Sequence, residues 1–314
     1  MDDLFVNQVH CASFEDFLPM FPEKSVQLVV TSPPYEDMKE YRNEQKRVEV
    51  NNLRGDSFIR FYWYRLFILL RPVMCDSGIV VVVINDKLKD GVLSPTNLLG
   101  TVEVLKQGWF LVERIPWIKT KALGRPAKGR LQDWWEPIYC FSPTGTYKSY
   151  PERIRGEYSD ASYKRYALPN KKLGEMKTRS LSSAKDVTEE RMVELNEKGK
   201  LHPNVLILSS DVRRHLNHPA RFPVDLARFF ITLYTDKGDL VLDPMCGSGT
   251  TLCAAQWTGR KFSGCDLVKD YVDMTRNELP KFKEQLDMFD NFYVEPFVCE
   301  VPKEPDETQM EIEI

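Results

Sequence analysis

The sequence is poor in the residues that form disulfides or bind zinc. It has seven cysteines and four histidines among 314 residues, and no two cysteines share a CxxC spacing. The odd number and scattered positions of the cysteines predict reduced, mostly buried thiols instead of a disulfide framework. The histidines do not lie near cysteines or carboxylates at the spacing of zinc ligands, so we expect no metal site.

Long hydrophobic stretches are also missing. No apolar run reaches the roughly 18–20 residues that span a bilayer, and the start Met-Asp-Asp-Leu lacks the basic residues that open a signal peptide. The chain nevertheless has 42% hydrophobic residues, with 17 Phe, 13 Tyr and 6 Trp, which excludes wholesale disorder. We expect a soluble, cytoplasmic protein built as one large domain, or as a domain with a sizeable insertion.

The net charge of −3 hides an uneven distribution. Residues 300–314 hold six acids and one base, so the remainder of the chain carries +2. Two segments are basic: residues 117–130 have five bases and no acid, and residues 148–179 have nine bases and four acids. Such segments are either a solvated face or a surface that contacts phosphates, and charge alone leaves both interpretations open.

Apolar strands alternate with helices along most of the chain. The patterns predict strands at 28–31, 78–85, 110–118, 137–141, 239–242 and 261–267, and helices at 57–70, 94–107, 223–234, 250–257 and 268–289. Ser57 is the predicted N-cap of the first helix, and Pro72 is expected just beyond its end. The alternation predicts an α/β fold with a doubly wound, mainly parallel sheet, whose ligands bind at the carboxyl ends of the strands.

The character of the sequence changes between about residues 145 and 203, where Tyr, Lys, Arg and Ser dominate. We therefore divide the chain into a first part of the sheet domain at 1–144, an inserted region at 145–203, a second part of the sheet domain at 204–290, and an acidic tail at 291–314 that we expect to be disordered. Within the insertion, residues 187–198 are predicted as a surface helix.

A glycine-rich turn follows the predicted strand at 239–242. The sequence Asp-Pro-Met-Cys-Gly-Ser-Gly-Thr at 243–250 places an acid at the strand end, then a tight turn, then the start of a helix whose N–H groups can face a ligand. It matches neither the phosphate P-loop nor the GxGxxG fingerprint, since Leu252 stands where the latter needs glycine. Asp266 ends the next strand and suits hydrogen bonds to ribose hydroxyls, by analogy with dinucleotide sites. The plainer alternative is a turn with an N-capping acid.

A second unusual segment, Ser32-Pro33-Pro34-Tyr35, follows the strand at 28–31. Consecutive prolines cannot continue a sheet ladder, so they hold a hydroxyl, a backbone carbonyl and an aromatic ring in a rigid turn. Ser32 Oγ and the Pro33 carbonyl can accept the two hydrogens of an exocyclic amine while Tyr35 stacks on a planar base. A four-residue string is weak by itself, but both segments are expected at the same edge of the sheet.

Together the two segments carry a family resemblance. The sequence resembles the S-adenosylmethionine-dependent DNA amino-methyltransferases, which pair an Asp-Pro-x-x-Gly-Ser-Gly-Thr cofactor motif with a [Ser/Asn/Asp]-Pro-Pro-Tyr catalytic motif. Here the catalytic motif comes first, about 210 residues before the cofactor motif, and this order is similar to that of the permuted β class. Residues 217–223 are similar to a further cofactor-contacting segment of that class. The inserted region occupies the slot where this class carries its target recognition domain.

The resemblance implies roles for individual residues. The catalytic residues are Ser32, Pro33, Pro34 and Tyr35, and the cofactor is S-adenosylmethionine. Asp266 would hold the ribose of the cofactor. The cofactor pocket would also contain Asp243, Pro244, Gly247, Ser248, Gly249 and Thr250, with Asn217 and Phe222 at the methionine end or the adenine.

The resemblance also implies the reaction and its partners. Ser32 in the first motif position is more typical of cytosine-N4 than of adenine-N6 enzymes, which implies site-specific methyl transfer to the N4 amine of a cytosine flipped out of double-stranded DNA. A cognate restriction endonuclease is an expected partner. Asp37 is a candidate proton relay, since no strong base is evident near the motif.

Contacts to DNA would come from the two basic segments. Trp134, Trp135 and residues 61–64 are predicted as core in preference to base-stacking side chains. The candidate DNA-contacting residues are Lys119, Lys121, Arg125, Lys128, Arg130, Arg153, Arg155, Lys164 and Arg165.

Other functions compete with this interpretation. An adenine-N6 enzyme would share its fold and mechanism. RNA guanine-N2 methyltransferases have a similar cofactor motif, but in them it precedes the Pro-Pro-Tyr motif. A cytosine-C5 enzyme needs a Pro-Cys nucleophile, and the sequence has no Pro-Cys pair. A catalytically silent binding module is disfavoured by the intact Ser32, Tyr35, Asp243 and Asp266.

Overall fold

Eight strands form one mixed sheet with helices on both faces in this computed structural model, which describes residues 5–35, 53–89, 91–120, 131, 133–156, 201–209 and 222–289. The large sheet has the order β1-β10-β9-β2-β3-β7-β6-β8, and β4 and β5 form a separate hairpin. In chain order the strands are β1 (Gln8–Cys11), β2 (Val26–Thr31), β3 (Met74–Val83), β4 (Leu88–Lys89), β5 (Val92–Leu93), β6 (Phe110–Lys119), β7 (Trp135–Ser142), β8 (Leu206–Leu208), β9 (Leu240–Asp243) and β10 (Lys261–Asp266).

One strand of the large sheet runs against its neighbours. β7 is antiparallel to both β3 and β6, whereas the other neighbouring pairs are parallel. The predicted doubly wound, mainly parallel sheet is confirmed. The reversal of β7 brings the first residues of this strand to the edge where the parallel strands end.

The helical regions predicted outside the insertion agree with the structure within a few residues, and the short helix Phe14–Phe17 was not predicted. A π-helical segment, Ile59–Arg65, joins α2 to α3 and places Tyr62 and Trp63 in the core. The helices are α1 (Phe14–Phe17), α2 (Asp56–Phe58), α3 (Leu66–Val73), α4 (Thr96–Lys106), α5 (Val224–Tyr234), α6 (Thr250–Trp257) and α7 (Lys269–Phe289). Among the described residues, none of these helices combines the length and the apolar composition of a membrane span.

The start of α2 differs from the prediction. Its N-cap is Gly55, at a φ of 50° that favours glycine. Ser57 lies inside the helix, where its hydroxyl donates to the Arg54 carbonyl at 2.8 Å and accepts the Arg54 N–H at 3.1 Å. The prediction of Ser57 as N-cap is therefore wrong, because its side chain closes the preceding turn instead. Pro72 likewise lies inside the last turn of α3.

Two hydrophobic cores lie on opposite faces of the sheet. Side chains alternate between faces along a strand. Leu28 and Val30 therefore join the core that packs under α5, α6 and α7, whereas Val29 joins the core formed with α1 to α4. Both cores meet at the central strands β2 and β9, whose carboxyl ends carry the two sequence motifs.

The first part of the predicted insertion packs on the sheet domain. The Lys148 N–H donates to the Ser77 carbonyl at 3.0 Å, and the Tyr150 N–H donates to the Leu233 carbonyl at 2.8 Å. Arg153 donates to the Thr235 carbonyl at 3.0 Å. Residues 145–156 are thus anchored to the core. The predicted surface helix at 187–198 and the predicted disordered tail lie outside the described residues.

Candidate active site

A hydrogen bond joins the two sequence motifs. β2 and β9 pair in parallel, with Val29 opposite Leu242. At their carboxyl ends the Thr31 hydroxyl donates to Asp243 Oδ1 at 2.8 Å, although 212 positions separate the two residues in the chain. Thr251 strengthens the same junction by donating to the Val30 carbonyl at 3.0 Å. The segment that begins at Ser32 therefore starts beside the glycine-rich loop.

The Asp243 carboxylate is shielded from water, with 3% of the residue exposed. Burial raises the pKa of Asp243 to about 7, and the hydrogen bonds from Thr31 and from the Met245 N–H only partly oppose this rise. The pKa of Asp266 is also raised by burial, against the effect of the N–H groups that it accepts. Two carboxylates with raised pKa values at one sheet edge are typical of a functional site.

The loop between β9 and α6 depends on its glycines. Gly247 has a φ of 50° and Gly249 a φ of 79°, a region that residues with side chains rarely adopt. A Cβ atom on Gly249 would lie 2.3 Å from Thr275 Cγ2. Thr275 in turn donates to the Gly247 carbonyl at 2.9 Å. α7 thereby fixes the backbone of the turn.

Asp266 shapes the same loop from β10. Its two oxygens accept the N–H groups of Gly247 and Val268, each at 2.9 Å. Each carboxylate oxygen can accept a further hydrogen bond, as a ribose diol requires. The carboxylates of Asp243 and Asp266 also suit a ligand that carries positive charge. These residues therefore fit S-adenosylmethionine, which has a diol, a sulfonium and an ammonium group.

Tyr35 contacts an ion pair that joins strands β6 and β7. Its hydroxyl donates to Glu136 Oε2 at 2.8 Å. The Lys119 ammonium pairs with the other oxygen of Glu136 and lies 5.2 Å from the centroid of the Trp117 ring. Ser32, Pro34 and Tyr35 itself are partly exposed, so the predicted catalytic segment borders open space.

The ion pair was missed by the sequence reasoning. Glu136 interrupts the otherwise apolar strand β7, and a carboxylate in such a strand is a signal for a buried partner. The partner, Lys119, was predicted as a DNA contact, but its side chain is 19% exposed and is committed to Glu136. Its place in the site follows from the reversed strand β7, which local patterns do not reveal.

Some of the other predicted site residues are described by the structure, and the rest lie outside the described residues. Arg153 forms an ion pair with Asp236 and stacks on the Tyr150 ring, and Arg155 is partly exposed. The Phe222 side chain is buried in the core. Outside the described residues lie Asp37, Lys121, Arg125, Lys128, Arg130, Lys164, Arg165 and Asn217.

The aromatic residues predicted as core are only partly so. Tyr62 and Trp63 are buried and Phe61 is partly buried. Tyr64, Trp134 and Trp135 are 41%, 44% and 43% exposed, so the prediction is wrong for these three residues. Trp134 precedes β7 and Trp135 begins it, where the sheet edge meets open space. The six cysteines within the described ranges are free thiols. Those ranges contain no cluster of His, Cys, Asp and Glu that could hold a metal ion.

A sequence profile of the DNA methylase family matches residues 26–277. The chain belongs to this family of DNA amino-methyltransferases. The match begins with β2 and ends within α7, so it spans both motifs and the sheet that joins them. The predicted family resemblance is confirmed.

Similar proteins agree with this assignment. The type II methyltransferase M.PvuII of Proteus hauseri is 29% identical over 280 residues, which cover 82% of this chain and 79% of that protein. The type II methyltransferase M.BglII of Bacillus subtilis is 27% identical over 296 residues, or 94% of this chain and 75% of that protein.

Solved structures share the fold. The PvuII DNA methyltransferase, described as cytosine-N4-specific, has a TM-score of 0.61 at 22% identity and covers 88% of this chain and 91% of its own. The complex of M1.HpyAVI with S-adenosylmethionine has a TM-score of 0.53 at 17% identity, covering 87% of this chain and 99% of its own. The predicted class of fold agrees with these structures, and the M1.HpyAVI complex contains the cofactor that the sequence predicts for this chain.

Proposed function

We propose that the protein is a site-specific DNA methyltransferase that modifies the exocyclic N4 amine of cytosine. The observation that carries this proposal is the hydrogen bond between Thr31 and Asp243, because it brings the start of the Ser32–Tyr35 segment next to the glycine-rich loop. The choice of cytosine is supported by Ser32 in the first motif position and by the similarity to the PvuII enzyme.

The glycine-rich loop and the two acids would hold S-adenosylmethionine. Asp266 would accept hydrogen bonds from the ribose hydroxyls, and Asp243 would add negative charge near the cationic groups. The turn residues Pro244, Gly247, Ser248, Gly249 and Thr250 would line the remaining pocket. Bound there, the cofactor supplies a methyl group on a positively charged sulfur. The residues of the chain hold this donor in place and align the acceptor.

The Ser32–Tyr35 segment would activate the acceptor amine. The lone pair of this amine is conjugated with the ring of the base, which makes it a poor nucleophile. Ser32 Oγ and the Pro33 carbonyl would accept the two amine hydrogens, which favours a tetrahedral nitrogen and aims its lone pair at the methyl group. The nitrogen becomes positively charged during the transfer and then loses a proton, for which Asp37 remains the candidate relay.

The target cytosine would have to leave the duplex to reach this segment. Extrusion of a base costs a few kcal/mol, and stacking on the Tyr35 ring would offset part of that cost. Phosphate contacts would come from the two basic segments. We leave Lys119 and Arg153 out of the proposed DNA-contacting set, because they form ion pairs with Glu136 and Asp236. A DNA substrate implies a cytoplasmic location. The type II relatives make a partner restriction endonuclease part of the proposal.

Nucleoside mass spectrometry tests the proposal directly. The purified protein is incubated with S-adenosylmethionine and unmethylated genomic DNA, and the DNA is digested to nucleosides. We expect N4-methylcytosine. N6-methyladenine would retain the mechanism but overturn the choice of base, and a product found with RNA alone would overturn the choice of DNA.

A further inference from the structure

A largely buried ion pair lies beside the predicted catalytic segment. Glu136 is 7% exposed and stands opposite Trp117 in the β6–β7 ladder. The Lys119 side chain, 19% exposed, reaches the same carboxylate. The pair thus lies at the sheet edge where the two sequence motifs meet.

Stability alone does not account for this pair. Taking two charges out of water costs several kcal/mol, and apolar residues of similar volume often serve a core equally well. The following residues of β7, Ile138 to Phe141, are buried and lack ionisable carboxylates. The presence of a carboxylate in this strand therefore calls for another reason.

The contact with Tyr35 supplies that reason. The two Glu136 oxygens have different partners, since one faces the Lys119 ammonium and the other accepts the Tyr35 hydroxyl at 2.8 Å. A hydrogen bond to a charged acceptor is stronger than one to a neutral acceptor, so it restricts rotation of the phenol ring. The nearby negative charge also enriches the ring in electron density, which favours its contact with a nitrogen that becomes cationic.

We propose that Glu136, oriented by Lys119, is a positioning residue that fixes the Tyr35 ring against the extruded base during methyl transfer. This inference rests on the proposed function. It assigns to β6 and β7 a role in the reaction rate, in addition to their role in the sheet.

A set of three variants separates positioning from structural support. Tyr35→Phe keeps the ring and removes its hydroxyl. The double variant Lys119→Met/Glu136→Leu removes both charges together, so that no unpaired charge is left in the core. The triple variant combines all three changes. Tyr150→Phe is the matched control, because the Tyr150 hydroxyl also donates to an ion-paired carboxylate, Asp236 Oδ2 at 2.6 Å, at the other end of the sheet.

The readouts are the single-turnover rate of transfer of a radiolabelled methyl group to genomic DNA, the Kd for S-adenosylmethionine, and the midpoint of urea unfolding. We expect Tyr35→Phe and the double variant each to slow the transfer about tenfold, the scale of a lost charge-assisted hydrogen bond. The triple variant should be within about twofold of either, because all three remove the same contact. The cofactor Kd and the Tyr150→Phe rate should stay within about twofold of the wild type.

The outcomes separate this inference from the proposed function. A double variant that folds and transfers methyl groups at the wild-type rate overturns the inference. A triple variant slowed about 100-fold also overturns it, because multiplied effects mean independent roles. A wild-type protein that methylates no nucleic acid overturns the proposed function, and the inference with it.

Discussion

Asp243 is a carboxylate that the fold has almost removed from water. It accepts hydrogen bonds from Thr31 and the Met245 N–H, yet burial still raises its pKa to about 7. A carboxylate in this state binds a proton readily in the free protein and gains from a cationic neighbour. Protonation of Asp243 should therefore affect both the stability of the fold and the binding of a cationic ligand.

The free energy of unfolding should reflect this pKa. Between about pH 4 and pH 7 the folded protein holds the Asp243 proton that the unfolded chain has already lost, so this group makes stability fall as the pH rises, by up to about 4 kcal/mol. Asp243→Asn retains an acceptor for Thr31 and should reduce the fall. Urea unfolding of both proteins at pH 5 and pH 7.5 measures the difference. If the free energy of unfolding changes equally with pH in both proteins, the raised pKa does not belong to Asp243.

Substitution at the two motifs should separate binding from turnover. Asp243→Asn removes the negative charge beside the proposed cofactor pocket and should weaken S-adenosylmethionine binding at least about tenfold, the scale of a lost interaction with a charged group. Ser32→Ala removes only the proposed acceptor for the target amine, so it should leave cofactor binding unchanged and slow methyl transfer. Calorimetric titration and a methylation assay on the same preparations give both values. Equal binding by Asp243→Asn and the wild type would refute our position for the pocket.

At the scale of the elements, α4 packs tightly on the π-helical segment. A Cβ on Gly100 would lie 2.4 Å from two atoms of the Trp63 ring, and Trp63 is only 1% exposed and packed among other aromatic rings. Alanine improves helix propensity by about 1 kcal/mol, but overpacking of a core costs about 1–3 kcal/mol. The clash should dominate.

Gly100→Ala should therefore destabilise the protein by about 2 kcal/mol. The control is Val102→Ala on the same helix, where the side chain is 47% exposed and the expected change is within about 0.5 kcal/mol. Urea unfolding midpoints test both variants. A Gly100→Ala protein as stable as the wild type would mean that the Trp63 ring can move.

The elements that the sequence predicted are those with a strong local pattern. β3 contains a continuous β-branched run, and α6 was predicted with its observed bounds. β1 and β8 were missed because four and three residues give no clear alternation. The π-helical segment was missed because its apolar period does not differ enough from that of an α-helix.

The candidate site could be predicted from the sequence only where its residues are neighbours along the chain. Asp243 and the glycines stand in one motif, and Ser32 to Tyr35 in another. Glu136 and Lys119 were not assigned to the site, because their role depends on the direction of β7 and on a contact across 101 positions. The local sequence pattern does not reveal long-range contacts of this kind. The one signal here is an acid, Glu136, inside an apolar strand.

At the scale of the molecule, the proposed site lies between two parts of the chain that meet at β2 and β9. A ligand at this junction touches both parts and should stabilise them together. At a concentration 100 times its Kd, S-adenosylmethionine should add about 2.7 kcal/mol to the free energy of unfolding, which raises the Tm by several degrees.

Two optical signals can test whether the shift is shared. Five of the six tryptophans lie between residues 63 and 135 and one at 257, so tryptophan fluorescence reports mainly the first part of the chain and circular dichroism the whole. Addition of the cofactor should raise the Tm by the same amount in both melting curves. In Asp243→Asn, the same cofactor concentration should raise the Tm less than it does in the wild type. Separate transitions would show that the junction does not couple the two parts.

The pairing register between β6 and the reversed strand β7 determines which side chain meets the Tyr35 hydroxyl. Glu136 and Trp135 are adjacent in the strand and point to opposite faces of the sheet. A slip of one position in the β6–β7 pairing would exchange the faces of every side chain in β7. Such a slip would bring Trp135 in one direction, or Pro137 in the other, to the position where Glu136 now meets the phenol, with each sequence motif unchanged. The buried residues Ile138 to Phe141, which fix the register of β7, therefore also fix the partner of the Tyr35 hydroxyl.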